Sequence, residues 1–194
     1  MRFRRLGNAG GSICFPAARA ELPTLSAALQ SLGICARRAT SDDLPFLREL
    51  YGSLRADELA QVPWPSSAKD AFLDSQFDLQ HRHFVNYFAA ADFLLLEQHG
   101  VAIGRYYLQR AQPYFLIVDI ALQPGSRQRG IGSALLDWTK HLVQTEEAEG
   151  IDLHVDERNL SAQRLYTRCG FIETERSSPY IGMRWSRDSI EHAH

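Results

Sequence analysis

The sequence predicts a single α/β (α+β) domain in which helices flank a mixed central β-sheet. A nearly all-apolar run at residues 114–122 indicates a strand that is covered on both faces. From residue 34 onward, strand and helix patterns follow one another in the order β α α β β β α β α β β. The chain of 194 residues is 45% hydrophobic and 23% charged, which is typical of one domain with an ordinary core.

Capping residues and prolines mark the first elements. A short strand is predicted at 34–38, and residues 40–43 carry a capping-box signature for a helix that ends near residue 60. Two prolines within 62–65 break that helix, because proline cannot continue it. A second helix is predicted over about 67–88, with one stripe formed by Phe72, Gln76, Leu79, His83 and Tyr87.

The second half of the chain alternates between strands and helices. A hairpin signal at Gln98, His99 and Gly100 joins two predicted strands. The predicted strands are 93–97, 101–108, 114–122, 151–155, 171–175 and 180–185, and the predicted helices are 131–149 and 160–169. Gly150 ends the first of these helices and Gly170 ends the second.

Residues 1–33 are predicted to form an N-terminal extension made of a loose arm and one short helix at 23–32. The basic start resembles a leader peptide, but Pro16 and nearby polar residues break the apolar stretch that a leader needs, so we expect none. The main domain is expected at 34–186 and a tail at 187–194. The arm is also a candidate contact in a homodimer.

The charge balance and the cysteines exclude several classes of function. With 21 Lys and Arg against 23 Asp and Glu, the net charge of −2 argues against nucleic-acid binding through a broadly basic surface. No apolar run approaches the ~18 residues of a membrane-spanning helix, so we expect no membrane partner. Cys14, Cys35 and Cys169 show neither a disulfide framework nor zinc spacing. We therefore expect no metal and a reducing, cytoplasmic setting.

The segment 123–134, between the buried strand and an amphipathic helix, carries the strongest chemical signal. Backbone N–H groups at a helix start, together with the helix dipole, form an anion site. Gly130 and Gly132 remove Cβ atoms where a ligand must approach the backbone closely. Arg127 and Arg129 add positive charge and directed donors, so two adjacent phosphates match this segment better than one carboxylate.

Two common phosphate-binding loops do not fit this segment. A nucleoside-triphosphate loop needs a lysine where Ile131 stands. A dinucleotide fingerprint needs a third glycine where Leu135 stands.

Residues 127–132, Arg-Gln-Arg-Gly-Ile-Gly, resemble the acetyl-CoA pyrophosphate loop (Arg/Gln-x-x-Gly-x-Gly) of the GNAT acyltransferase superfamily. About thirty residues later, the stretch 159–171 resembles the second GNAT signature, Asn-x-x-Ala-x-x-Leu-Tyr followed by Gly-Phe. Both motifs occur in the expected order and on the expected elements. The resemblance covers about residues 34–186 and implies a GNAT-type fold with splayed strands and acetyl-CoA as co-substrate.

The resemblance also implies how the cofactor is held. The backbone of Ile120, Ala121 and Leu122 would bind the pantetheine arm as an added strand. Asn159 would meet the cofactor near its pantetheine or phosphate end, unless it is a plain helix N-cap. The pyrophosphate would be held by the amides of Arg127, Gln128, Arg129, Gly130, Ile131 and Gly132, together with Ser133.

Two candidate catalytic residues follow from the resemblance. Tyr166 matches the tyrosine that protonates the leaving thiolate in many GNAT enzymes; the alternative is a tyrosine buried for packing. His154 stands where some GNAT enzymes place a glutamate base, and it is either the base or a structural histidine. Asp119, the only charge in its apolar strand, is the rival base or the partner of a nearby arginine.

The expected function is N-acetylation of a primary amine by direct attack on acetyl-CoA, with a small molecule or an amino-acid-like metabolite as acceptor. A peptide N-terminus or lysine is the second acceptor, and a non-catalytic acyl-CoA-binding module or an unrelated nucleotide-binding protein is the alternative class. Aromatic residues near the acceptor pocket either line it or belong to the core: Trp64, Phe72, Phe77, Tyr87 and Tyr180.

Overall fold

A computed structural model describes residues 14–17 and 21–187 of the chain. The predicted class is confirmed, because the described residues form one mixed seven-stranded sheet with helices on both faces. Most of the predicted N-terminal arm and the residues after 187 lie outside the described part of the chain. The division into extension, domain and tail stays a prediction.

The elements alternate in the predicted order. The helices are α1 (Ala27–Ser31), α2 (Leu44–Ala60), α3 (Ser66–Tyr87), α4 (Ile131–Thr145) and α5 (Leu160–Arg168). The strands are β1 (Ile34–Arg38), β2 (Asp92–Gln98), β3 (Val101–Gln109), β4 (Tyr114–Leu122), β5 (Gly150–Asp156), β6 (Ile172–Ser177) and β7 (Tyr180–Ser186).

Two helices differ from their predicted bounds for local reasons. Helix α4 ends at Thr145 rather than at the predicted residue 149, because Glu147 adopts a left-handed backbone with φ of 55°. The N-terminal helix begins after Ser26, whose hydroxyl accepts from the backbone N–H of Leu29, rather than at the preceding proline.

The strand order is β1-β2-β3-β4-β5-β7-β6, and β4 and β5 form the parallel pair while the other neighbours are antiparallel. One face of the sheet, which we call the α4 face, packs against α1, α4 and α5 through residues such as Leu29, Leu135 and Tyr166. The opposite α2–α3 face is covered by residues such as Leu47 and Phe77. The sheet is therefore buried on both faces around β4, as the apolar run at 114–122 predicts.

The predicted stripe on α3 lies largely outside the core. Phe72, Leu79 and Tyr87 are 39%, 48% and 62% exposed. The helix turns Phe77 and Phe84 toward the sheet instead. Phe84 packs edge-on against Tyr107 and also contacts the rings of His83 and Phe88. Spacing alone does not distinguish the two stripes, because α3 carries large apolar side chains on two sides.

Candidate active site

Strands β4 and β5 separate halfway along their length. They pair only from Tyr114 to Ile117 on β4, although both strands continue further. The register between β3 and β4 shifts at Val118, which leaves this residue as a bulge at the point of separation. Beyond it, β4 keeps β3 as its neighbour and β5 keeps β7, so a split opens between them.

The predicted pantetheine residues lie on this unpaired edge. Ile120, Ala121 and Leu122 pair with β3 on one side and with no strand on the β5 side. An extended chain that enters the split meets free backbone groups there and can bind as an added strand. The Leu122 carbonyl also accepts a hydrogen bond from Arg127 Nε at 2.9 Å, which fastens the loop to the end of the strand.

The loop between β4 and α4 presents a row of free amides. From Gln128 to Ser133, no backbone N–H donates to a protein acceptor within the described part of the chain. Gln128 and Gly130 adopt left-handed backbone, with φ of 59° and 81°, which turns the chain into the helix. These amides stand at the positive end of a 15-residue helix, so they suit a diphosphate.

The two loop glycines have different roles. A Cβ atom on Gly130 would meet nothing within 4 Å, so this glycine is needed for its left-handed backbone and leaves open space beside the amides. A Cβ atom on Gly132 would lie 3.0 Å from Leu165 Cδ2, so this glycine lets α4 approach α5. The arrangement fits the predicted pyrophosphate.

Asn159 is the N-cap of α5. Its Oδ1 accepts from the backbone N–H of Ala162 at 3.1 Å, which is the structural role weighed against cofactor binding. The Asn159 amide nitrogen has no acceptor among the described residues, so a contact with the cofactor stays a prediction for that nitrogen alone.

Tyr166 is 5% exposed on α5, with its ring 5.9 Å from that of Phe171. Its hydroxyl makes no hydrogen bond within the described residues. Burial raises the pKa of Tyr166 well above its ordinary value, and the negative charge of Asp119 raises it further. The phenol is protonated at neutral pH, as an ordinary tyrosine is, and the raised pKa makes it a weaker acid than a free phenol.

His154 lies on β5 one residue beyond the last residue paired with β4. Its side chain is half-exposed on the α2–α3 face of the sheet, and Nε2 lies 3.7 Å from Glu175 Oε1 on β6. A groove of about 280 Å³ runs beside it, lined also by Asp152 and Arg184, which form a two-pronged ion pair at 2.6 and 2.8 Å. The imidazole is thus open to an arriving molecule.

Asp119 accepts from Arg105 Nε at 2.7 Å, which confirms that this carboxylate partners an arginine. The Arg105 side chain is 2% exposed, and its Nη2 donates to Gln80 Oε1 at 2.8 Å. Asp119 keeps 22% exposure at the split, so one face of its carboxylate stays open. The enclosed Tyr107 hydroxyl beside Arg105 has no hydrogen-bond partner, and burial raises its pKa to about 12.

Sequence reasoning missed Arg105 and Gln80. The available signal was a lone arginine within the apolar strand 101–108, with a lone aspartate in the next strand. Two isolated opposite charges in neighbouring buried strands indicate an ion pair, because neither charge is stable there alone.

The candidate aromatic residues near the acceptor side separate into two groups. Phe77 belongs to the core, with 1% exposure. Trp64 and Phe72 form an exposed edge-to-face pair 5.5 Å apart, and Tyr180 is 40% exposed on β7. Tyr51 on α2 is buried with Leu47 and Leu50; burial raises the pKa of its hydroxyl, while the charges of Arg55 and Arg105 lower it.

Residues 14–17 and 21–187 contain no group of three or more His, Cys, Asp or Glu side chains placed to hold a metal ion. None of the helices described is long and apolar enough to span a bilayer.

The sequence profile described as the Acetyltransferase (GNAT) family matches residues 47–171 of the chain. A curated relative, the mycothiol acetyltransferase of Frankia casuarinae, is 33% identical over 128 residues, which cover 58% of this chain and 35% of the relative. The aligned region therefore spans only about a third of that relative's length.

Solved structures resemble this fold at low sequence identity. The PaiA N-acetyltransferase of Thermoplasma acidophilum, in complex with coenzyme A, matches with a TM-score of 0.61 and 16% identity, covering 79% of this chain and 98% of that one. A chimera of the spermidine N-acetyltransferase SpeG of Vibrio cholerae and hSSAT matches with a TM-score of 0.56 and 19% identity, covering 82% and 99%. At these identities the likeness shows the fold alone.

Proposed function

The chain belongs to the acetyltransferase (GNAT) family, and from that membership we propose that it transfers an acetyl group from acetyl-CoA to a primary amine. The observation that carries the proposal is the row of unbonded amides from Gln128 to Ser133 beside the unpaired edge of β4. A diphosphate and a peptide-like arm are joined in one molecule in coenzyme A. The unbonded amides suit the diphosphate of coenzyme A, and the unpaired edge of β4 suits its peptide-like arm.

On the donor side, the backbone does most of the binding. We assign the diphosphate to the amides of the loop, with Arg127 and Arg129 as nearby positive charges. The pantetheine arm pairs with Ile120 to Leu122, and the thioester then lies at the Val118 bulge, where the strands part. The chain's contribution to rate at this point is positioning, because the thioester is held still beside the incoming nitrogen.

Tyr166 is proposed as the proton donor. When the amine nitrogen forms its bond to the thioester carbonyl carbon, the C–S bond breaks and the sulfur leaves with the electron pair. The Tyr166 hydroxyl donates its proton to that sulfur. Its position on α5 within the second motif and a hydroxyl that makes no hydrogen bond among the described residues support this role.

His154 is proposed as the base that removes the proton from the amine. Its imidazole is half-exposed at the split and lies on the face opposite to the α5 helix that carries Tyr166, so donor and acceptor protons move on separate sides. Asp119 is the second candidate. Its carboxylate is already paired with the buried Arg105 guanidinium, which suits it better to holding an ammonium group than to removing a proton.

A small-molecule amine or amino-acid-like metabolite is proposed as the acceptor, and a peptide N-terminus or lysine is the second class. The groove beside His154, which is lined by residues of β5, β6 and β7, offers space for a short acceptor. One protein with a similar fold is named as an N-acetyltransferase of spermidine, which is a small amine. We propose a cytoplasmic location, since acetyl-CoA is a cytoplasmic metabolite and the cysteines form no disulfide in the described residues.

The test has two stages. Thermal-shift titration with coenzyme A, acetyl-CoA, ATP and NAD should show stabilisation by the first two alone. Thiol release from acetyl-CoA is then measured with a panel of polyamines, amino acids and peptides. A thermal shift with no turnover on any amine supports the non-catalytic binding module, and stabilisation by ATP or NAD alone contradicts the assignment of the loop.

A further inference from the structure

Glu175 on β6 carries a carboxylate that forms no ion pair with an arginine or lysine among the described residues. It contacts His154, the candidate base on β5, through the 3.7 Å approach of Oε1 to Nε2. The other acidic side chains of β5, β6 and β7 are paired with arginines: Asp152 with Arg184, Asp156 with Arg158, and Glu173 with Arg176. Within these three strands, the charge of Glu175 alone is directed at the candidate base.

The contact between His154 and Glu175 crosses a whole strand. Strand β7 runs between β5 and β6, and adjacent strands lie ~4.8 Å apart, so the two backbones are about 10 Å apart. Both residues are level with Gly182 of β7 in their respective pairings. A Cβ atom on Gly182 would lie 2.9 Å from Glu175 Cγ, so the glutamate side chain crosses β7 over this glycine.

A bulge in β6 turns Glu175 to the face of the sheet that carries the candidate base. Glu173 pairs with Met183 and Glu175 with the adjacent Gly182, so the residue between the two glutamates has no partner in β7. Regular alternation would place both glutamates on one face. Instead, Glu173 is level with Met183, which packs in the core of the α4 face, and Glu175 lies on the α2–α3 face.

We propose that Glu175 is a positioning residue for His154 in acetyl transfer, an inference that rests on the proposed function. A carboxylate beside Nε2 favours the neutral imidazole with its proton on that nitrogen, so Nδ1 is the nitrogen that accepts. As the amine attacks the thioester, an N–H bond of the amine breaks and the proton moves to Nδ1. The proton then passes to water, which restores the neutral ring.

The charge of Glu175 acts mainly while the proton moves. The neutral imidazole has no charge for the carboxylate to attract, whereas the imidazolium that forms during the reaction is positive. The attraction between Glu175 and His154 is therefore stronger in the transition state than in the ground state, and such an interaction raises kcat rather than the affinity for the substrate.

Kinetics of Glu175→Gln, measured by thiol release from acetyl-CoA with an amine that the wild-type protein acetylates, test the proposal. The two side chains are 50% and 64% exposed, and an exposed ion pair contributes up to about fivefold to an equilibrium. We expect kcat to fall about threefold to fivefold, with unchanged KM for the amine and unchanged affinity for coenzyme A. The matched control is Glu173→Gln, on the same strand but on the opposite face, which should keep the wild-type kcat.

A double-mutant cycle tests whether the effect acts through His154. In a His154→Gln background, Glu175→Gln should lower kcat no further, because the imidazole is absent. Gly182→Ala places a methyl group where the glutamate side chain crosses β7, so it should lower kcat as Glu175→Gln does, and the two changes together should not add. Urea titration checks that each variant is folded.

The outcomes separate this inference from the proposed function. If His154→Gln loses activity while Glu175→Gln does not, or if Glu173→Gln loses as much as Glu175→Gln, the positioning role is wrong and the proposed function stands. A full further loss from Glu175→Gln in the His154→Gln background also overturns the role. If wild-type protein acetylates no amine, or if His154→Gln keeps full activity, the proposed base is wrong and the positioning role is wrong with it.

Discussion

Gly130→Ala and Gly100→Ala form a matched pair of substitutions. Comparing them separates the effect of a left-handed glycine on stability from its effect on coenzyme A binding. Both glycines have left-handed backbone, with φ of 81° and 79°, and a Cβ atom on either would meet nothing within 4 Å. The left-handed conformation costs an alanine about 1–2 kcal/mol. We therefore expect both variants to lose about the same free energy of unfolding, measured by urea titration without ligand.

The two variants should differ in affinity for coenzyme A. Gly100 lies in the β2–β3 hairpin, whereas Gly130 lies immediately before the first residue of α4, among the unbonded amides. A methyl group at 130 occupies the open space that we assign to a phosphate oxygen. A hydrogen bond to a charged group contributes about 1.5–3 kcal/mol. The loss of one such bond corresponds to a decrease in affinity of roughly tenfold to a hundredfold.

Isothermal titration calorimetry with coenzyme A and with acetyl-CoA measures this difference directly. Gly130→Ala should bind both ligands at least tenfold more weakly than wild type, and Gly100→Ala should bind them with wild-type affinity. Equal affinity in the two variants would refute the assignment of the diphosphate to this loop. Equal loss of stability in both shows that the change in binding does not come from unfolding.

Three further predictions follow from the site and its surroundings. Tyr166→Phe should lower kcat about a hundredfold, as expected for loss of a general acid, with unchanged affinity for coenzyme A; unchanged kcat in steady-state assays removes Tyr166 from the mechanism. His154→Gln should lower kcat/KM about a hundredfold with unchanged affinity for coenzyme A, and if His154→Gln has no effect on kcat/KM while Asp119→Asn lowers it, Asp119 is the base. Arg37 holds the pKa of Asp43 below its ordinary value, so the carboxylate stabilises the fold above about pH 4 and this contribution is lost as pH falls through the lowered value. Asp43→Asn should therefore cost about 2 kcal/mol in urea unfolding at pH 7 and less at pH 3, and a loss that is independent of pH contradicts the role of this ion pair.

The elements themselves were predictable because their signals are local. The apolar run at 114–122 and the glycine spacing at 130–132 each depend on residues that are adjacent in the chain. The capping residues near 40–43 act in the same way, and Thr40 N–H does donate to the Asp43 carboxylate at 2.8 Å. Such signals predict where an element begins and ends, since capping and turn conformation depend on a few neighbouring residues.

Features that depend on how strands and helices meet were not predictable in the same way. The bulge at Val118 is a mismatch between β3 and β4, and no pattern within β4 alone indicates it. The side of α3 that faces the core depends on rings contributed by the sheet, above all Tyr107. The Arg105–Asp119 pair joins two strands whose register is known only once they are paired.

The difference between local signals and contacts between elements also explains why the acetyl donor is easier to predict from the sequence than the acetyl acceptor. The donor site that we propose uses backbone groups, so its requirements appear as glycines at set spacing between a strand and a helix. The acceptor side that we propose depends on side chains from separate elements: Asp119 on β4, His154 on β5 and Tyr180 on β7. The acceptor must therefore be found by assay, while the identity of the donor can be tested by two single glycine substitutions.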